Sequence, residues 1–144
     1  MPSWIDAGYD EYARRLPRDF ALELLELKPE ARDRGRTAAQ LLAAEAVRIN
    51  TACAGHLTVA LDERGSAWTT RTLADRIARW RDEARDVAFV IGSADGLDHA
   101  LKSTAAERLQ LSALTLPHGL VRVMLAEQLY RAVSLLNGHP YHRD

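Results

Sequence analysis

Alternation constrains this chain more than any other feature. Short runs that are apolar along their whole length recur between segments whose apolar residues repeat every three or four positions. Such runs read as strands buried on both faces, and the periodic segments between them as helices. The spacing predicts helices over 3–15, 36–53, 70–84, 97–106 and 120–136, and strands over 20–27 (FALELLEL), 57–61 (LTVAL), 87–91 (VAFVI) and 109–116 (LQLSALTL). In the first helix Ser3 is the expected N-cap, and Trp4, Gly8 and Tyr12 share a face with Ile5 and Tyr9. In the second, Leu42, Ala46, Ile49 and Cys53 form the apolar stripe, and in the third Leu73, Ile77 and Trp80 do. Strands alternating with helices imply an α/β fold, a mostly parallel sheet flanked by helices. The chain opens on a helix, whereas parallel α/β domains usually open on a strand.

Size and composition narrow the class. A chain of 144 residues makes one domain, large enough to bury a core without disulfides or metals. The longest stretch free of Asp, Glu, Lys and Arg is 13 residues, short of the roughly 20 a membrane-spanning helix needs. Asp6, Asp10 and Glu11 lie where a secretory signal would be apolar. The single cysteine, Cys53, excludes an internal disulfide framework and a cysteine-cluster zinc site, and it fits a reducing cytoplasm. Nineteen basic residues against 20 acidic give no global case for nucleic-acid binding but leave room for a local basic patch.

Ligands of open parallel sheets bind beyond the carboxyl ends of the strands. Three such ends stand out: Leu61-Asp62; Gly92-Ser93-Ala94-Asp95-Gly96; and Thr115-Leu116-Pro117-His118-Gly119, in a loop counted from Ser112 to Gly119. The glycine pair is spaced G-x-x-x-G, neither a dinucleotide fingerprint nor a P-loop, and by spacing alone it is equally a tight turn. On the last helix Glu127, Gln128, Arg131 and Ser134 lie on one side, and Leu125, Ala126, Leu129, Val133 and Leu136 on the other. Arg122 points into the apolar stripe near the helix start, where the dipole disfavours a cation. It therefore needs a partner: a ligand carboxylate, an RNA phosphate, or an internal Asp or Glu, unless it snorkels out. The tail NGHPYHRD gathers His139, Tyr141, His142 and Arg143, a mixture suited to an unstacked base and its phosphates, or simply a frayed terminus. The two histidines lack the further ligands a metal site requires.

The run LSALTLPHGLVRVMLAEQLYRA followed by NGHPYHRD resembles the RlmH family, SPOUT-class methyltransferases of the large ribosomal RNA. MPSWIDAGYDEYARRLPRD, Leu61-Asp62, Trp68-Thr69 and DVAFVIGSADGL extend the resemblance over essentially the whole chain. It implies a C-terminal trefoil knot, a homodimer, and S-adenosylmethionine as cofactor. The reaction it implies is methylation of N3 of a pseudouridine in helix 69 of 23S rRNA on the assembled ribosome. It places Leu61, Gly92, Ser93, Ser112, Ala113, Leu114, Thr115, Leu116 and Pro117 around the cofactor. Tyr141, His142 and Arg143 reach the target nucleotide across the dimer interface, with His118, Arg122 and Arg131 near the site. It also implies an opening strand of roughly ten residues ahead of the point where Met1 stands, so that residues 1–144 form a single domain lacking that strand. The glycine loop departs from the family's GGPEG, with Ser93 in place of a glycine. A catalytically disabled ribosome-binding protein of the same fold is the alternative reading.

Overall fold

Three strands pair in one parallel sheet. The structure is a computed structural model that describes residues 1–31, 35–93 and 95–141. The elements, in chain order, are α1 (Ser3–Ala13), α2 (Ala38–Ala52), β1 (Leu57–Ala67), α3 (Thr70–Asp82), β2 (Val87–Val90), α4 (His99–Thr104), β3 (Glu107–Gln110) and α5 (His118–Leu136). The sheet order is β2-β1-β3, so β1 is central and parallel to both neighbours. Its two faces are covered separately. Val59 and Leu109 pack against Leu73, Ile77 and Trp80 of α3 and Leu125, Leu129 and Val133 of α5. Ala60 and Val90 pack with Ala46 of α2 and Leu97 and Leu101 around α4. This two-faced burial is what a strand apolar at every position demands.

Local chemistry sets the helix ends. Thr37 caps α2 in a reciprocal box with Gln40, and Thr69 accepts from the Thr72 amide at the start of α3. Before α1 the capping position is Pro2, not Ser3, and no side chain caps that helix. Ile5 and Tyr9 are buried as expected, but Trp4 is 59% exposed and does not share their face. The α3 stripe of Leu73, Ile77 and Trp80 is wholly buried.

Three strand expectations need correction. β1 does not end at Leu61: it runs on to Ala67, with a register shift against β3 between Leu61 and Ser66. The excursion lets Leu109 pair with both residues, and it pushes residues 62–65 toward the carboxyl edge. β3 spans only Glu107–Gln110, and residues 111–117 leave the sheet as irregular backbone. Residues 20–27 form no strand. A strand needs a neighbour's hydrogen-bond ladder, and this segment joins neither of the outer strands, β2 and β3. Phe20 and Leu22 instead pack on the α3–α5 core. Farther along, Glu26 pairs with Arg122 at 2.5 Å, and Glu30 pairs with Arg36 and Arg48, each at 2.6 Å. The Arg122 question is thereby answered: its mostly buried guanidinium takes an internal carboxylate.

α5 is not two-sided. Ser134, expected on its polar side, is buried, and its hydroxyl donates back to the Arg131 carbonyl at 2.7 Å. Such back-bonding satisfies a hydroxyl inside a core at little cost to the helix. α5 packs on α1 on one side and α3 on another, and Thr70 of α3 donates to Gln128 at 2.8 Å. Among the described residues no helix is long and apolar enough to cross a membrane.

Candidate active site

A cavity of about 580 Å³ opens at the carboxyl edge of the sheet, a size that suits a small-molecule ligand. Leu61, Gly92, Ser93, Ser112, Leu114 and Leu116 line it. Ala113, Thr115 and Pro117 belong to the same loop but do not face it. The reading from sequence missed Arg64 and Lys102, which also border the cavity, along with Leu109, Leu111 and Val121. The signal for Arg64 lay in the β1 extension past Leu61, which no apolar run could reveal because residues 62–64 are all charged.

The glycine loop is closed on itself. The Gly96 amide donates to the Ser93 carbonyl at 2.8 Å, and the two residues form an isolated bridge. Gly92 lies so close beneath this turn that a Cβ on it would sit 2.5 Å from the Gly96 carbonyl oxygen. The opposite wall is the loop from Leu111 to Pro117, in which the Leu114 amide donates to the Ser112 hydroxyl at 2.9 Å. Both walls thus present much backbone and few bulky polar groups. Asp62 and Glu63 supply negative charge, and Arg64 and Lys102 positive charge; Lys102 approaches Asp62 at 3.8 Å. Such a lining, with backbone on two walls and charges of both signs at its rim, suits a small ligand that carries a flat heteroaromatic ring and charged groups of both signs.

The tail is built on α5, away from this cavity. Asn137 closes the helix and Gly138 takes φ +67°, a left-handed turn that glycine adopts without Cβ strain. The turn folds the chain back, and the His139 amide donates to the Ser134 carbonyl at 2.8 Å. Tyr141 then lies beside Tyr130, ring centroids 4.6 Å apart, with its hydroxyl donating to the Glu127 carboxylate at 3.1 Å. Glu127 also pairs with Arg131 at 3.0 Å, and the Arg131 guanidinium sits 5.0 Å from the Tyr141 ring centre. Arg15 of α1 lies over Tyr12 and Tyr130 in the same cluster. Glu127 is therefore the carboxylate on which the tail docks, a role the sequence did not single out.

Of the expected residues for the target nucleotide, Tyr141 is held in this cluster, while His142 and Arg143 lie outside the described residues. His118 is exposed at the start of α5 and Arg122 is engaged with Glu26; neither lines the cavity. Arg131 belongs to the tail cluster. Cys53 is a poor nucleophile, since burial pushes its thiol up and away from the thiolate form. Among the described residues no group of three or more His, Cys, Asp or Glu is placed to hold a metal ion.

The docking leaves a measurable mark. Burial first, then the Glu127 carboxylate to which it donates, push the Tyr141 phenol up from 10.0 to about 12. A raised value means that the neutral phenol is favoured in the docked state. Docking is at full strength below the ordinary tyrosine range and weakens as pH rises from about 10 towards 12. Alkaline difference spectra of the protein against Tyr141→Phe should show a tyrosine that ionises near pH 12 and is missing from the variant. Ionisation near pH 10 would mean that the tail is undocked.

Comparison with known proteins adds lineage to this geometry. Residues 1–142 match the family described as Predicted SPOUT methyltransferase. The ribosomal RNA large subunit methyltransferase H of Nitrosospira multiformis is 60% identical over 144 residues, covering 99% of this chain and 92% of the relative. The proteins of the same name from Burkholderia thailandensis and Bordetella avium are 57% and 56% identical over the same shares.

Proposed function

This chain belongs to the SPOUT methyltransferase family, and we propose that it methylates large-subunit ribosomal RNA with S-adenosylmethionine as donor. The observation that carries the reading is the cavity at the carboxyl edge of the sheet, walled by the glycine loop and the 111–117 loop. The names and high identity of the relatives support RNA as the substrate. N3 of a pseudouridine in helix 69 of the assembled ribosome is the target that the resemblance assigns, and the cytoplasm is where that substrate resides.

When bound, the cofactor supplies an electrophilic methyl group. The protein's own tasks are then to position and to move a proton. Leu61, Leu116 and the backbone of Gly92 and Ser93 hold the cofactor, with Asp62 and Glu63 favouring its positive groups. Ala113, Thr115 and Pro117 keep the opposite wall in place. The N3 proton must leave, and His142 is the group assigned to assist it. Arg143 stabilises the negative charge that develops on the uracil carbonyls. Tyr141, docked on Glu127, directly precedes both of them in the chain.

Because the tail cluster lies apart from the cavity of its own chain, the reading includes a homodimer in which one copy's tail serves the other's cavity. Exposed large apolar groups support it: Leu114 is 76% exposed on the cavity loop, and Trp4 59% on α1. The family's knot belongs to the β3–α5 region in this reading.

The domain proposal is that residues 1–144 form one such domain, since the sheet residues Val59 and Leu109 share a single core with α3 and α5.

The direct test is calorimetric titration of the folded protein with S-adenosylhomocysteine. Saturable binding near one ligand per chain is expected; no binding by the folded protein would refute the cavity assignment. Replacing His142 with alanine should slow methyl transfer by about 100-fold or more and leave that titration unchanged. An unaltered rate would remove His142 from the proton step.

A further inference from the structure

A second cleft, of about 360 Å³, lies beside the cofactor cavity and shares Arg64 and Lys102 with it. Arg76 and Arg108 complete a set of four cations around it, in a chain whose formal net charge is only −1. The one carboxylate in the lining, Glu107, is already engaged by Arg76, and Lys102 faces Asp62. Arg64 and Arg108 are exposed, and their guanidiniums pair with no carboxylate among the described residues; only the Arg64 backbone amide reaches one, donating to Asp62 at 3.2 Å. Trp68 adds a flat aromatic face, with the Arg76 guanidinium stacked 4.5 Å from its ring centre. The Nε of Arg76 and one oxygen of Glu107 are buried without a hydrogen-bond partner among the described residues.

Unpaired guanidiniums around an open polar cleft, next to an aromatic ring, suit a polyanionic chain better than an apolar ligand. We infer that the Arg64–Arg76–Lys102–Arg108 cleft binds the phosphate backbone of the RNA substrate and leads it past the cofactor cavity. The inference rests on the methyltransferase reading of the neighbouring cavity. It accounts for how a nearly neutral protein engages RNA: the charge is local. Contacts of this kind fix register and carry no sequence information. The cleft therefore orients the strand, while the choice of nucleotide falls to other groups.

Arg108 tests the idea cleanly, because it lines this cleft and not the cofactor cavity. Fluorescence anisotropy with a fluorescein-labelled RNA stem-loop would be followed as salt is raised. Arg108→Gln should weaken binding about tenfold and reduce the slope of log K against log salt by about 1. Arg108→Lys should restore most of both, and S-adenosylhomocysteine affinity should be unchanged in each variant. Wild-type RNA affinity and salt slope in a folded Arg108→Gln protein would overturn the proposal. Displacement of the RNA by inorganic phosphate beyond that by chloride at matched ionic strength would support it, since both would compete for the same cations. If the wild type binds RNA but not S-adenosylhomocysteine, the cofactor reading fails and the cleft stands.

Discussion

Replacing Gly92 with alanine should cost the protein up to about 100-fold in affinity for S-adenosylhomocysteine while leaving the fold intact. The new Cβ would meet the Gly96 carbonyl oxygen at 2.5 Å and its carbon at 2.6 Å. Both contacts are with backbone, so no side chain can swing aside. The Ser93–Gly96 turn must move, and with it the wall of the cavity. Overpacking of this kind costs about 1–3 kcal/mol, and each 1.4 kcal/mol is about tenfold in binding. The turn lies beyond β2, outside the α3–α5 core, so the melting temperature should fall by only a few degrees. Calorimetry and thermal unfolding on the same sample separate the two effects. Full affinity in Gly92→Ala would mean that the glycine loop is not a wall of the cofactor site.

Removing the Glu127 carboxylate should have the opposite signature: cofactor binding kept, methyl transfer reduced about 100-fold. Glu127 touches neither cavity. It acts through Tyr141, whose hydroxyl it accepts, and Arg131, whose guanidinium it pairs. In Glu127→Ala both lose their anchor, and the tail that carries His142 and Arg143 is no longer held against α5. Glu127→Gln still accepts from the Tyr141 hydroxyl but loses the ion pair, so it should recover part of the rate. A merely structural role predicts otherwise, with a fall in stability and a rate that recovers once the variant is assayed well below its melting temperature. The docking role predicts that Tyr141 in Glu127→Ala ionises nearer its ordinary 10.0 than 12. Wild-type transfer by Glu127→Ala would show that the tail does not work from this dock.

Much of the architecture was legible because it follows from burial. Leu73, Ile77 and Trp80 repeat at helical spacing and are buried together, and LTVAL and VAFVI pair in parallel as runs with two buried faces must. The failures have physical causes that no local pattern carries. FALELLEL has a strand's composition, but a strand exists only where another offers its ladder, and that is a property of distant sequence. The second half of β1 is charged and polar, yet it pairs with β3 after a register shift, so tertiary contact overrode its composition. Ser134 looked like a surface residue because hydroxyls usually are; a bond to its own helix let it enter the core.

The site divides in the same way. The glycine loop and the stretch around Pro117 were recognisable as strand ends, and the cavity does lie between the glycine loop and the 111–117 loop, although the last strand stops at Gln110, earlier than its apolar run suggested. Arg122 was recognisable as a misplaced cation, but the sequence could not say which anion answers it. Glu26, nearly a hundred positions away, comes from the very segment expected to be a strand. Glu127 read as an ordinary polar-face residue. Its importance appears only when Gly138 turns the tail back and sets Tyr141 against it.

The central claim is methyl transfer to large-subunit ribosomal RNA, and it is tested most directly by supplying both partners. The purified protein would be incubated with S-adenosylmethionine bearing a labelled methyl group and with ribosomes from cells that lack the modification. The RNA would then be digested and its nucleosides separated. The account predicts label in one nucleoside of the large-subunit RNA, N3-methylpseudouridine. A folded protein that binds the cofactor and leaves the large-subunit RNA unlabelled would contradict it.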